Sequence, residues 1–390
     1  MVKVKSWLFT EVRGKVKKAE FRRRKNKVTE LSQKRIPFNP RTERQQEVRK
    51  AYGQCVEEWN NLSESEKREW RIVGTLLGIS GYNAFMRECI SKRLGAVWYE
   101  ITIDNSANSN DLTDYQVLLE IVNDSTFFED CKNEQKYLEF YDTDKATLLN
   151  HFVEEFDTTN KNAKIWIKVP SIPANSTKTI YLKINTRRTT DLSNGENVFD
   201  FFDDFEGTEI DSDKWKTNSP NFSVENSIIK FWGDWNGNNY YLNTLQAFNS
   251  PKKIIGKWRI GQIGEDTDLF VGFRTSDTGV QSKNGYDCYY DGQGTGKYYE
   301  KSIMRLTEAY VLCGKVTDTE WHKFKIIFKT DEIKFWDDLL GECSMSGEGL
   351  SSFYLSIGAD ADSSDRFAYI DFIAMAKYTE PEPTVSYAKI

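Results

Sequence analysis

At 390 residues the chain is long enough for two or three domains, and 39% hydrophobic with 14% aromatic residues supply sizeable cores. No apolar run approaches the ~20 residues of a membrane-spanning helix. The net charge of −6 hides an asymmetry: residues 1–97 carry 23 Lys and Arg against 11 Asp and Glu, the remainder 30 against 48. A basic leader on an acidic body points to a negatively charged partner for the leader.

Residues 1–36 read as a basic arm with two short strand-like pieces, 3–9 and 16–21. Arg22, Arg23, Arg24, Lys25 and Lys27 form a dense cluster of the kind that meets a polyanion. Nucleic acid and an acidic neighbouring subunit are the two partners expected, against a plainly solvated leader. No secretory signal is read at the N-terminus, which has no long apolar core and no small-residue cleavage site.

Residues 37–95 carry helical periodicity. Asn39 and Pro40 suit a helix start, and Val48, Ala51, Tyr52, Cys55, Val56 and Trp59 share one face. Ser63 and Glu66 predict a capping box, Trp70, Val73, Leu76 and Leu77 an apolar face, and Gly78 a stop. A third helix follows from Ser80, with Tyr82, Phe85, Met86, Cys89 and Ile90 on one side. One small three-helix core is expected.

At Ala96 the period changes from 3.6 to 2. Segments 97–103, 115–122, 165–169 and 179–184 alternate and are joined by polar turns, predicting a small antiparallel sandwich over 97–185. A linker ends near Asn197, and ten short strands between turn-rich loops then suit a two-sheet jelly roll over 197–378, followed by a tail over 379–390. The fold class is therefore mainly β with a small all-α N-terminal unit. The six cysteines stand alone, with no Cys-x-x-Cys and only His151 and His322 for company, so zinc-finger spacing is absent. Single buried thiols are expected, with a bridge among Cys288, Cys313 and Cys343 left open.

Three resemblances accompany this reading. The series Arg13-Gly14-Lys15, Phe21-Arg22-Arg23, Asn39-Pro40-Arg41-Thr42, Trp59, Leu62-Ser63, Trp70 and Ser80-Gly81-Tyr82-Asn83 resembles an N-terminal module of tailed-phage and related viral structural proteins; Trp-x-x-Leu-Ser-x-x-x-Lys is more weakly similar to a high-mobility-group DNA-bending box. Trp98-Tyr99, Leu112-Thr113-Asp114-Tyr115, Leu138-x-Phe140-Tyr141-Asp142 and Ile165-Trp166-Ile167-Lys168-Val169-Pro170 resemble a β-sandwich family of unassigned function found in archaeal and bacterial surface proteins. Asp-Phe-Glu-Gly at 204–207 with Lys214-Trp215 resembles the opening of concanavalin A-like and laminin-G-like jelly rolls. That last resemblance implies a structural calcium between the opening and last strands, held here by Asp204 and Asp371.

Jelly rolls of this kind include glycoside hydrolases, which need two carboxyls about 5 Å apart for retaining chemistry. Glu209, Asp211 and Asp213 fall in a polar turn rather than mid-strand, and two distant histidines give a Ser-His-Asp triad thin support. No enzyme is expected. Aromatics mixed with amides point instead to glycan stacking by Trp232, Trp235, Tyr240, Tyr241 and Tyr289. The function these expectations add up to is a virion structural protein of a prokaryotic, plausibly archaeal, virus. Residues 1–95 would join other virion subunits in a multimeric particle made in the host cytoplasm, and the β domains would touch host-surface glycan. A secreted or surface carbohydrate-binding adhesin is the alternative, and a glycoside hydrolase stands behind it.

Overall fold

The computed structural model describes residues 43–94, 97–186, 188–217, 219–232, 240–261, 267–275, 286–291, 299–305, 309–316, 318–339, 341–346, 350–361 and 367–390, and the backbone of four short strands before them. The chain divides into two compact units, Met1–Gly95 and Ala96–Ile390.

In the first unit β1 (Val2–Val4), β2 (Gly14–Val16), β3 (Ala19–Arg23) and β4 (Thr29–Gln33) form an antiparallel sheet in the order β1-β4-β3-β2. Four strands thus stand where two pieces are expected from sequence. Helices α1 (Glu43–Asn61), α2 (Glu64–Leu77) and α3 (Gly81–Leu94) follow. The capping box is present: the Ser63 backbone N–H donates to Glu66 at 2.8 Å and the Glu66 N–H donates to Ser63 Oγ at 3.3 Å. Gly78 ends α2 with φ +68°, a conformation that suits glycine. Cys55, Phe85, Met86 and Cys89 make the core, with Trp59 and Trp70 packed against it.

Two expectations for this unit need correcting. Cys55 and Cys89 are joined by a disulfide rather than standing as single thiols. Cys343 is disulfide-bonded as well, while Cys131 is a free, buried thiol and Cys288 is buried in the jelly-roll core. The apolar face proposed for α2 is not a core face: only Trp70 turns inward, and Leu76 is 82% exposed. The close crossing of α2 on α3 at Gly74 and Gly81 leaves no depth there for larger side chains.

The second unit opens with the small sandwich. Its strands are β5 (Val97–Asp104), β6 (Leu112–Ile121), β7 (Leu138–Tyr141), β8 (Leu148–Leu149), β9 (His151–Asp157), β10 (Asn162–Ile172) and β11 (Thr177–Ile184), with a short helix α4 (Ser125–Asp130). A three-stranded sheet, β6-β10-β9, faces a five-stranded one. The fifth strand of the latter is β28 (Thr384–Lys389), which pairs antiparallel with β5. The expected tail is therefore the closing strand of the sandwich: alternate residues Val385 and Tyr387 pack against its core.

Helix α5 (Gly195–Val198) leads into the jelly roll. Its strands are β12 (Phe201–Asp203), β13 (Trp215–Thr217), β14 (Phe222–Val224), β15 (Ile229–Phe231), β16 (Tyr240–Thr244), β17 (Phe248–Asn249), β18 (Lys252–Ile260), β19 (Thr267–Arg274), β20 (Tyr286–Asp291), β21 (Tyr299–Arg305), β22 (Ala309–Val316), β23 (His322–Phe328), β24 (Glu332–Asp337), β25 (Gly341–Ser346), β26 (Ser352–Ala361) and β27 (Ala368–Lys377). One eight-stranded sheet runs β14-β15-β27-β18-β23-β24-β25 with β12 beside β27; the other runs β13-β16-β26-β19-β20-β21-β22 with β17 beside β26. Between them lies a core that includes Trp258, Phe273, Phe324, Phe328, Phe335 and Phe353. Phe273 and Phe328 stack across it, ring centroids 4.1 Å apart.

The two β domains are not separated by a free linker. Strand alternation gives β10 two apolar faces: Ile165, Ile167 and Val169 enter the sandwich core, and Trp166 turns the other way. Trp166 meets Phe199, Phe202, Ile255, Phe372 and Ala374 in a second core that joins the three-stranded sheet to the jelly roll. Gln116 is buried in the seam, its amide donating to the Val198 carbonyl at 2.8 Å and accepting from the Lys377 N–H at 3.0 Å.

Candidate functional site

The sheet containing β16, β26, β19 and β20 has one face in the jelly-roll core, marked by Leu242, Val271, Phe273, Cys288, Leu355 and Ile357. The alternate positions belong to the opposite face. Register aligns them in rows. Tyr241 pairs with Gly358, Gly358 with Phe270, and Phe270 with Tyr289. In the next row Asn243 pairs with Ser356, Ser356 with Gly272, and Gly272 with Asp287. Two neighbouring glycine positions, 358 and 272, thus sit between aromatic and polar ones.

This face is deep at its polar row. Asn243 is 1% exposed, Ser356 0% and Arg274 2%. Buried polar side chains are costly unless held by partners; the Arg274 guanidinium donates weakly to the Phe273 carbonyl at 3.4 Å. Tyr241, in the neighbouring aromatic row, is half-buried. Burial pushes its hydroxyl pKa up, opposed by the nearby Arg274 charge. Two carboxylate positions also meet in register: Asp268 of β19 lies opposite Asp360 of β26.

The residues proposed from sequence for glycan contact separate here. Tyr241 and Tyr289 share one row of this sheet. Trp232 follows β15 in the other sheet, half-buried with its ring edge-on to Phe367 at 6.0 Å. Tyr240 opens β16 one residue before Tyr241, so the two take alternate positions rather than one aromatic loop. Trp235 lies outside the described residues. Of the basic cluster, Arg22 and Arg23 end β3, and Arg24, Lys25 and Lys27 lie outside the described residues.

Asp204 and Asp371 do line one cavity, of about 430 Å³, together with Lys257 and Lys323. Lys257 donates to Asp371 at 3.3 Å. Among the described residues no group of three or more His, Cys, Asp or Glu stands together to hold a metal. Calcium prefers six to eight oxygens, and an ammonium already on one carboxylate is a poor fit to it. Glu209, Asp211 and Asp213 lie in the segment between β12 and β13, where the Asp213 N–H donates to Asp211 at 2.9 Å in a local turn. Sequence reasoning missed Asn243, Arg274, Ser356 and the facing of Asp268 and Asp360, because pairing across strands is invisible in a linear pattern.

Fold and site together define a two-sheet jelly roll of the concanavalin-like class, docked on a smaller β-sandwich. A family described as a domain of unknown function (DUF2341) matches residues 134–218, which run from the sandwich into the first jelly-roll strands. No curated protein matches the chain. Among solved structures, the chain is similar to an immunostimulatory antigen and pseudo β-1,3-glucanase of Mycobacterium tuberculosis, at 14% identity and a TM-score of 0.38, over 46% of this chain and 99% of that one. It is similar to an endo-β-1,3-glucanase from Pyrococcus furiosus at 11% identity and a TM-score of 0.36, over 50% and 95% of the two chains. LamAcat from Zobellia galactanivorans gives 12% identity and a TM-score of 0.37, over 47% and 100%. These findings correct two expectations. Against the expectations of a virion structural protein and of no enzyme, these similar structures are described as glucanases and a pseudo-glucanase and none of the three as a particle protein.

Proposed function

We propose that this is a carbohydrate-active protein whose jelly roll receives a polysaccharide along the outward rows of the β16-β26-β19-β20 sheet. The observation that carries the reading is the register. It sets aromatic positions Tyr241, Phe270 and Tyr289 in one row and Asn243, Ser356 and Asp287 in the next. Gly358 and Gly272 keep the floor between them low. Pyranose rings lay their apolar faces on aromatic rings, while Asn243 and Ser356, buried in the next row, support the sheet beneath rather than meet the sugar.

Asp268 and Asp360 are register partners on the same sheet. One protonated carboxyl beside one ionised is the arrangement that glycoside hydrolysis uses. Cβ atoms of cross-strand partners lie about 5 Å apart, which allows carboxyls at such positions to take the separation of a retaining pair.

A β-1,3-glucan is the first substrate to try. Full-length protein incubated with laminarin should release reducing ends. Asp268→Asn and Asp360→Asn should each cut the rate by roughly 100-fold or more, and Tyr241→Ala should raise KM. A protein that releases nothing from laminarin, and is not retarded by it in affinity electrophoresis, overturns the reading.

A further inference from the structure

The seam between the small sandwich and the jelly roll holds a cavity on the other side of the jelly roll, which the proposed reaction does not use. Its volume is about 400 Å³, within the range of small-molecule sites. Glu154 and Trp166 reach it from the sandwich, Lys253, Lys325 and Trp336 from the jelly roll, and Glu382 from the segment leading to β28.

Most of these groups are already committed. Lys253 is buried and bonded to Glu382, which also accepts from the Tyr115 hydroxyl at 3.1 Å. The Lys253 ammonium lies 5.0 Å over the Trp166 ring. Trp166 in turn donates its indole N–H to Glu154 at 2.7 Å, fixing that carboxylate at the wall. Lys325 is the exception. It is half-buried, rests 5.5 Å over the Trp336 ring, and makes no ion pair among the described residues. A recessed ammonium without a carboxylate of its own, next to a second ammonium, favours an anion.

We propose that this seam binds a uronic acid residue of an acidic polysaccharide, its carboxylate on Lys325 and its hydroxyls on Glu154. A single small anion would leave Glu154 facing it across the cavity, whereas a sugar acid offers donors to Glu154 and an acceptor to Lys325 at once. The neighbouring cavity of about 430 Å³ shares Glu154 and Lys323 with this one. The seam is therefore a groove and accepts a chain longer than one sugar. The site stands apart from the glucan face and does not depend on it.

The test is calorimetric titration of full-length protein with trigalacturonate, with laminaritriose as the neutral control. Saturable binding of trigalacturonate is expected, weakening as salt is added. Lys325→Met should weaken it roughly tenfold or more, Lys325→Arg should retain it, and Trp336→Ala should weaken it with an unchanged melting temperature. Laminarin turnover should be the same in Lys325→Met as in the parent protein. Absence of saturable trigalacturonate binding, or equal affinity in the parent and Lys325→Met proteins, overturns the proposal.

Discussion

The chain has two histidines, and their surroundings drive their protonation in opposite directions. His151 is 1% exposed, its ring 4.9 Å from that of Phe140, and its Nε2 has no hydrogen-bond partner among the described residues. Burial depresses its pKa to about 4, with Asp191 opposing and Arg188 adding to the effect. His322 is also partly buried, which alone would lower its pKa, but Asp318 at 2.7 Å and Asp338 at 2.9 Å hold its two ring nitrogens and raise it. The consequences for stability have opposite signs. His151 must stay neutral to remain folded, so its contribution is present above the ordinary value near 6.5 and is lost as pH falls from there toward 4. A displacement of this size corresponds to about 3 kcal/mol. The clamp on His322 is fully present below 6.5 and is lost as pH rises through the raised folded value. Proton NMR of the full chain should show two imidazole resonances, one titrating near 4 and one above 6.5, with His151→Leu and His322→Gln assigning them. Urea unfolding at pH 7 and pH 4.5 should lose less stability in His151→Leu than in the parent. Two resonances titrating together near 6.5, or an equal acid loss in both proteins, would refute the burial argument.

Two further outcomes follow from local packing and charge. A Cβ on Gly74 would stand 2.7 Å from the Gly81 backbone nitrogen and the Ile79 carbonyl oxygen. Backbone cannot retreat as a side-chain tip can, so Gly74→Ala should cost the helical unit about 2 kcal/mol, read as an earlier melting transition of the 222 nm signal. Because Lys257 already engages Asp371, adding calcium or a chelator should leave the melting temperature unchanged; a clear chelator-dependent drop would return calcium to the cavity shared by Asp204 and Asp371.

Elements whose sequence alternates sharply were legible. Glu332–Asp337 shows its buried and exposed faces in the residue pattern, and forms a strand. The capping box at Ser63 and the stop at Gly78 were equally plain, since both depend on residues close in sequence. What escaped has a physical reason in each case. In Gly341–Ser346 only Met345 is buried, so the strand has almost no apolar signature of its own. Tyr240–Thr244 hides behind a run of asparagine and glycine that reads as turn. The site was less legible than the fold. Asn243 and Ser356 are register partners separated by more than a hundred residues, and an asparagine after an apolar residue carries no sign of that meeting. Asp268 and Asp360 were likewise unremarked, because the search for paired carboxylates ran along single strands while the pair lies across two.

The closing segment gives the most direct test of how the second unit holds together. Asn108 is buried in the sandwich and donates to Thr379 at 2.7 Å and to the Pro381 carbonyl at 3.1 Å. Glu382 neutralises the buried Lys253, and β28 then covers the edge of β5, where the Tyr387 hydroxyl donates to Asp124 at 2.9 Å. Removing residues 379–390 therefore does three things at once. It leaves Asn108 without these partners, exposes a strand edge with Ile101 and Ile103 beneath it, and strands an ammonium in the seam. The last alone costs about 3–5 kcal/mol when one partner of a buried pair is removed. Glu382→Gln isolates that contribution, because it keeps the shape of the segment and the strand while removing the charge. The truncated protein should melt well below the parent and be cut by trypsin within the sandwich, and Glu382→Gln should fall between the two. A truncated protein that melts with the parent would show that the segment is a passive end and that Lys253 finds its counter-charge elsewhere.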